Sequence, residues 1–480
     1  MINIIYLIPE IIILSSLCFI ILFDIFIANN KRYISYYLIQ LSLFASFILL
    51  LSYYKDFTNY DSNLYSSNIF TVNFKILIIF SLTLIFHYTY KFFLNFNLYK
   101  TEYFIISLFA LLGMMIIISS EHLLLLYLGI ELLSLSLYSL IAFDKKSSLS
   151  SEAAIKYYIL GAISSGFLLF GISLVYGLTG SLYFNDILSF INNLQDSSLD
   201  VNITNIGFIF SLTFILVSLA FKFGAAPFHM WVPDVYHGSI VSTTLLLSTL
   251  PKVAVFVIFI KLLAGMFSGL FIFWSDMLVI LALISVIIGN IIAIAQENIK
   301  RMLAYSTIAN VGFILIGISI GTNEAYVASM FYTVAYIITT IAAFGLISQL
   351  TYSKQPIENI KELSGMNSKF PVQSFLMLII MLSFIGIPPF IGFYAKLFII
   401  QSLISVNSIY ISIFLLLMTV IGAYYYLRII KIIYFDPNQN QLQLAFSSPI
   451  TALYVLALVI LGIFPNILSK ISYVTIASIF

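Results

Sequence analysis

Fourteen apolar runs, each eighteen residues or longer, follow one another along this chain, and no other feature of the sequence constrains the fold so tightly. They fall near 4–27, 34–54, 72–94, 102–119, 122–142, 152–178, 204–223, 238–268, 272–295, 299–320, 324–349, 371–405, 407–430 and 449–468. About 20 apolar residues cross the hydrocarbon core of a bilayer as a helix. Backbone groups there have no water to bond, so a span is either a helix or part of a closed barrel. These runs are too long and too little alternating for barrel strands. The expected fold class is therefore an all-α polytopic membrane protein of about 14 transmembrane helices. Composition agrees, with 62% hydrophobic and 8% charged residues, against roughly 25% charged in a soluble domain. The connections 181–203, 350–370 and 431–448 read as polar loops with no room for a soluble domain.

Composition also excludes whole classes of function. No basic cluster exceeds two residues, so nucleic acid finds no patch to bind, and the surroundings are membrane lipid. The single cysteine, Cys18, forms no internal disulfide and supplies one of the roughly four ligands an iron–sulfur cluster needs. His87, His122, His229 and His237 lack zinc or haem spacing, so no metal is expected. The N-terminus shows neither a cleaved signal nor a transit peptide.

Loop charge sets the orientation. Odd-numbered loops carry Lys31, Arg32, Lys91, Lys100, Lys145, Lys146, Lys300, Arg301, Lys354, Lys361, Lys369, Arg428 and Lys431. Even-numbered loops hold mainly acids, among them Asp56, Asp61, Glu121, Asp186, Asp196, Asp200, Asp276 and Glu324. Cations stay on the side of synthesis, so the odd loops face the cytoplasm or matrix and both termini face the other compartment.

The stretch "FKFGAAPFHMWVPDVYHG" (221–238) interrupts span seven in mid-membrane with Gly, Pro and charge and then turns back. Its "GAAPF" (Gly224–Phe228) recurs as "GIPPF" (Gly386–Phe390) on span twelve. Five spans separate the copies, and an odd offset forces opposite orientations, the pattern of inverted repeats with broken helices around an ion path. The organisation expected is spans one to three in 1–100, a first repeat in 101–268, a second in 269–430, and span fourteen with the tail in 431–480.

A charge at the bilayer centre costs roughly 3 kcal/mol or more, so intramembrane ionisable residues mark function. Glu131 sits mid-span with Tyr127, Ser134 and Tyr138 at helical spacing, a polar stripe suited to holding or releasing a proton. Lys222 precedes the Gly224 break, where burial makes its proton sensitive to a nearby carboxylate. Lys252 follows Pro251 on span eight, with Thr244 and Ser248 at four-residue steps, and reads as a central proton site. Lys396 follows the second break and reads as an exit site. Each also has a plainer reading as a structural ion pair or as a lysine reaching toward the surface. Lys156 either pairs with Glu131 or reaches the surface; His229 either relays protons or is structural. Between Lys252 and Lys396 only Tyr305, Ser306, Asn310, Tyr332 and Tyr336 are available, so a path there needs water. Lys75 and the Glu121–His122 pair read as surface features, His87 as a satisfied polar residue, and Asp234 and His237 as supports of the turn.

Several segments resemble the antiporter-like membrane subunits of respiratory complex I, the proton-pumping NADH:quinone oxidoreductase. They are "GIELLSLSLYSL" (129–140), "SEAAIKYYILGAISSGFLLFGISLVYGLTGS" (151–181), "KFGAAPFHMWVPDVYHGSIVSTTLLLSTLPKVAVF" (222–256), "QENIKRMLAYSTIANVGFILIG" (296–317) and "GIPPFIGFYAKLFI" (386–399). Among the three paralogues the chain is most similar to the fourteen-span one, which lacks a lateral helix and carries lysine on span twelve. The resemblance implies Glu131 and Lys222 as a coupling pair, Lys156 as an extra lysine beside it, Lys252 as central and Lys396 as terminal site. It implies partner subunits that handle NADH, FMN, iron–sulfur clusters and quinone, with no cofactor on this chain. Two other readings stand beside it: a subunit of a multisubunit Na⁺(K⁺)/H⁺ antiporter, and a scaffold whose charges only lock helices. Heavy use of Ile, Phe, Tyr and Asn fits an AT-rich genome, hence the mitochondrial inner membrane, with a bacterial plasma membrane as the alternative.

Overall fold

The computed structural model describes all residues except 1–3, 27–32, 53, 55–58, 63, 197–200, 438–441 and 480. Lys31, Arg32, Asp56 and Asp200 of the charge pattern lie outside the described residues. Twelve helices in the described part are long and apolar enough to cross a membrane. Span five is Leu123–Ile141, span six Ser148–Thr179, span eight Val241–Met266, span ten Ile299–Ser319, span eleven Asn323–Ile347 and span thirteen Ile409–Phe435. Span seven, Val201–Phe223, ends at the first break and a short helix, Trp231–Gly238, follows. Span twelve is two apolar half-helices, Pro371–Ile385 and Ile391–Ser405. Pro449–Ile463 and Pro465–Ala477 meet at 85° where span fourteen was expected.

The boundaries follow from local chemistry. Ser147 starts span six by accepting the Ser150 N–H, and Gly180, at φ +70°, ends it. Asn298 accepts the N–H groups of Lys300 and Arg301 to start span ten. Such side chains satisfy donors that the first helical turn leaves unpaired.

Span eight is the centre of the bundle, and its apolar window is buried throughout. It stays helical across Pro251, and the Thr249 hydroxyl on its preceding turn donates to Leu245 O at 2.7 Å. Span eleven packs on it, whereas spans one and thirteen leave most of their surface uncovered. Helix pairing repeats along the chain: span four (Thr101–Ser119) packs along span five as span nine (Phe271–Ala295) packs along span ten.

Three connections differ from expectation. The segment read as a loop at 181–203 contains a helix, Phe184–Asp196, whose Phe184, Ile187 and Ile191 are buried at helical spacing among polar neighbours. The segments 350–370 and 431–448 join in a small antiparallel sheet of Leu350–Tyr352, Gln355–Pro356 and Leu442–Leu444. Residues 90 apart share that sheet, and no local pattern reports such pairing.

Candidate functional site

Both Gly-Pro segments break their helices. Gly224 takes φ +79° and Gly386 φ +88°, the left-handed region glycine enters without strain. A break orphans carbonyls at the end of the first half-helix, where the helix dipole is negative. At each break a lysine ammonium fills that position. Lys252 donates to Phe223 O at 2.7 Å, and Lys396 donates to Phe384 O at 2.9 Å and Ile385 O at 2.7 Å. At the first break the Trp231 indole N–H also takes Phe221 O at 2.9 Å, and Ala226 N–H donates to the Ser285 hydroxyl at 2.8 Å. Lys252 further sits 5.1 Å from the centre of the Trp231 ring, within cation–π range.

Lys222 is buried and donates to the Ser134 hydroxyl at 2.7 Å. Ser134 lies one helical turn beyond Glu131. Glu131 is within electrostatic reach of Lys222 and of Tyr127 and Tyr138, so the expected stripe forms one face of span five. One buried Glu131 oxygen, Oε1, has no hydrogen-bond partner among the described residues. Span six closes over this face at Gly161, where a methyl group would overlap the Tyr138 hydroxyl. Lys222 and Phe223 are chain neighbours, so Lys252 Nζ ends on the carbonyl of the residue next to Lys222.

Span ten and span eleven supply the groups between Lys252 and Lys396. The Tyr336 hydroxyl lies 2.9 Å from the Thr307 hydroxyl and 3.1 Å from Ser248 O, tying span eleven to spans ten and eight. Tyr332 donates to Asn310 Oδ1 at 2.7 Å, and Asn310 Nδ2 donates to Ser306 O at 2.8 Å. Asn310, Tyr332, Tyr336, Thr339, Ser383 and Lys396 line a void of about 20 Å³. That volume and polarity suit one water molecule.

The structure separates the other candidates from this row. Lys156 is 45% exposed and bonds Glu152 at 2.8 Å and Asp234 at 2.9 Å, not Glu131. Arg301 also bonds Asp234, at 2.8 Å. Burial pushes the Asp234 carboxyl up, but the hydrogen bonds from Lys156 and Arg301 outweigh it and hold the group below the usual range. His229 is half-buried, its Nδ1 has no partner among the described residues, and its ring centre lies 6.5 Å from that of Tyr305.

Sequence reasoning missed a second set of buried charges at the opposite end of the bundle. Lys75, read as a surface lysine, is buried and meets Glu10 at 2.6 Å and the Tyr65 hydroxyl at 2.7 Å. Glu121, read as surface, meets Lys261 at 2.8 Å, and its Oε1 also accepts from the Ser66 hydroxyl. The segment Tyr65–Ser66 joins both pairs and folds them under neighbouring helices, which explains the burial. The available signal was opposite charges at the same end of different spans.

A family model for the NADH:quinone oxidoreductase/Mrp antiporter transmembrane region matches residues 120–460. The NADH-quinone oxidoreductase subunit N of Thioalkalivibrio sulfidiphilus is 43% identical over 97% of this chain and 96% of its own length. That of Ruthia magnifica is 41% identical over the same shares. Among solved structures, a chain of respiratory complex I from Thermus thermophilus with bound aureothin aligns at TM-score 0.79 and 26% identity, covering 96% of this chain and 98% of that one. A chain of the Mrp complex from a Dietzia species aligns at TM-score 0.79 and 18% identity, covering 98% and 97%, a likeness of fold alone.

Proposed function

We propose that this chain, which belongs to the NADH:quinone oxidoreductase/Mrp antiporter membrane family, moves protons along Glu131, Lys222, Lys252 and Lys396. It is a membrane subunit of proton-translocating NADH-quinone oxidoreductase, as its relatives over nearly the whole chain are. Other subunits of the complex are its partners, and NADH, FMN, iron–sulfur clusters and quinone reside on those. The relatives are bacterial, which supports the plasma membrane; the mitochondrial reading finds no relative among them.

The observation that carries the reading is the paired, lysine-capped break. At rest Lys222 leans on Ser134, a neutral partner one turn from Glu131. An ionised Glu131 favours a charged Lys222. Each proton moves only into a vacated lysine: Lys396 releases its own to the far side and takes that of Lys252, and when Glu131 is neutralised Lys222 loses that support and passes its proton across the break to the now neutral Lys252. Lys252 holds it against the half-helix carbonyl until the hydroxyls of Tyr336 and Thr307, and a water in the void beside Asn310, deliver it to Lys396. Each hydroxyl accepts one proton and gives up another, so the row carries charge without a net change in its members. Lys156 and Asp234 lie outside the row, at its cation-rich end. His229 stays a secondary candidate on that side.

The test is Lys222→Met in the intact complex, scored by native gel for assembly and by NADH:quinone turnover and pumping per assembled complex. Normal assembly with turnover and pumping both lost is expected. Normal pumping per complex leaves the scaffold reading instead. The Mrp-type antiporter reading predicts sodium- or potassium-driven proton exchange without NADH, and the 18% identity to the Dietzia chain gives it the fold only.

A further inference from the structure

At the cation-rich end of span thirteen lies a cavity of about 670 Å³ that shares no lining residue with the void beside Lys396. Lys361, Arg428 and Lys431 line it with Ser364 and a single acid, Asp436. Its walls are fixed. Arg428 Nη1 donates to Ile294 O and Gln296 O at the end of span nine, and the Ser364 hydroxyl donates to Pro437 O at 2.8 Å. Gly365 N–H donates to Ile432 O at 3.1 Å. Three elements are thereby held around one chamber whose lining carries three cations against one anion. Lys361 has a second, loose claim on it, Glu297 at 3.8 Å, but both side chains are largely exposed.

Below the chamber the same helix presents a ladder of exposed apolar side chains. Leu427, Tyr424, Val420, Leu417 and Ile413 descend from Lys431 in steps of four, three, four, three and four residues, so they share one face. From Leu427 to Ile413 the ladder is about 21 Å long, more than one leaflet of a roughly 30 Å hydrocarbon core. Tyr424 stands where an amphipathic ring prefers the interface between the two.

We propose that this cavity binds the headgroup phosphate of an anionic phospholipid from the leaflet on the cation-rich side, with its acyl chains lying along the ladder. A basic pocket between membrane helices on that side attracts such a headgroup electrostatically. The ladder selects a lipid over a free anion, because only a lipid also covers the apolar face. Occupancy seals the junction of spans nine and thirteen and leaves the proton row untouched.

The experiment uses the whole complex, stripped of loosely held lipid in a neutral detergent and returned to nanodiscs of phosphatidylcholine with or without phosphatidylglycerol. Native mass spectrometry and lipid phosphorus report what stays bound. Each cation near the headgroup is worth roughly a factor of five in affinity, so the double variant Lys361→Gln/Lys431→Gln retains about 25-fold less phosphatidylglycerol at unchanged turnover and assembly. Arg428→Lys keeps the charge and retains the lipid. The wild type and the double variant retaining phosphatidylglycerol equally overturns the proposal. So does displacement by inorganic phosphate, which identifies a free-anion site. Cross-linking of Lys431 to a neighbouring subunit with no lipid present overturns it in favour of a protein contact.

Discussion

The two broken helices solve one problem with different chemistry. At the first break the capping lysine, Lys252, comes from a separate span, and a second lysine, Lys222, bonds Ser134 within electrostatic reach of the acid Glu131. At the second break the capping lysine, Lys396, comes from the half-helix just beyond the turn, and its surroundings are hydroxyls, an amide and the Phe313 ring 5.8 Å away. The first half has a carboxylate able to change the charge its lysine sees; the second has only neutral partners. On the proposed proton row, a shared backbone device therefore serves a switch in one half and a receiver in the other.

The largest expected effect tests that asymmetry. Glu131→Gln removes the one acid and lowers pumping roughly 100-fold, the scale of losing a positioned proton donor or acceptor. Pumping by proteoliposomes containing the complex measures it, and near-normal pumping breaks the comparison. Lys396→Met acts on the receiver alone: pumping stops, while Lys222 stays protected from amine-reactive reagents as in the wild type. A newly labelled Lys222 shows that the halves are not separable. Tyr336→Phe keeps the ring and deletes the hydroxyl between them, slowing pumping roughly fivefold, the equivalent of about 1 kcal/mol for one hydrogen bond. A rate unchanged by this substitution means that protons cross elsewhere.

Smaller effects probe the break itself. Trp231→Phe removes one of the two donors to Phe221 O, leaving the Gly224 N–H at 3.0 Å, and costs about 1 kcal/mol for one hydrogen bond, read as earlier thermal loss of the assembled complex. Asp234→Asn costs up to about 1 kcal/mol, since its partners are partly exposed. The Asp234 carboxyl is held below its usual range, so its stabilising effect is complete above the ordinary carboxylate range and fades as pH falls through the lowered one. Wild type and variant should converge in acid. A gap that widens in acid contradicts the surface pairing.

The spans, both breaks and the places of Lys222, Lys252 and Lys396 beside them were legible in the sequence, because apolar length and Gly-Pro punctuation are local signals. Glu131, Ser134 and Tyr138 were readable as one face for the same reason. The partner of Lys252 was not: a backbone carbonyl carries no residue identity, and only folding brings Phe223 to it. Lys75 and Glu121 were misread because burial depends on which helices cover them, and their partners lie 65 and 140 residues away in sequence. The mitochondrial expectation rested on residue usage, which reflects the base composition of a genome and not a compartment.

The bond between Lys252 and Phe223 O gives the proton a mechanical meaning. A neutral amine is a weaker cap for a half-helix end than an ammonium, so every departure of the proton loosens the joint it had been fastening. On the proposed path, cargo and latch are therefore the same particle.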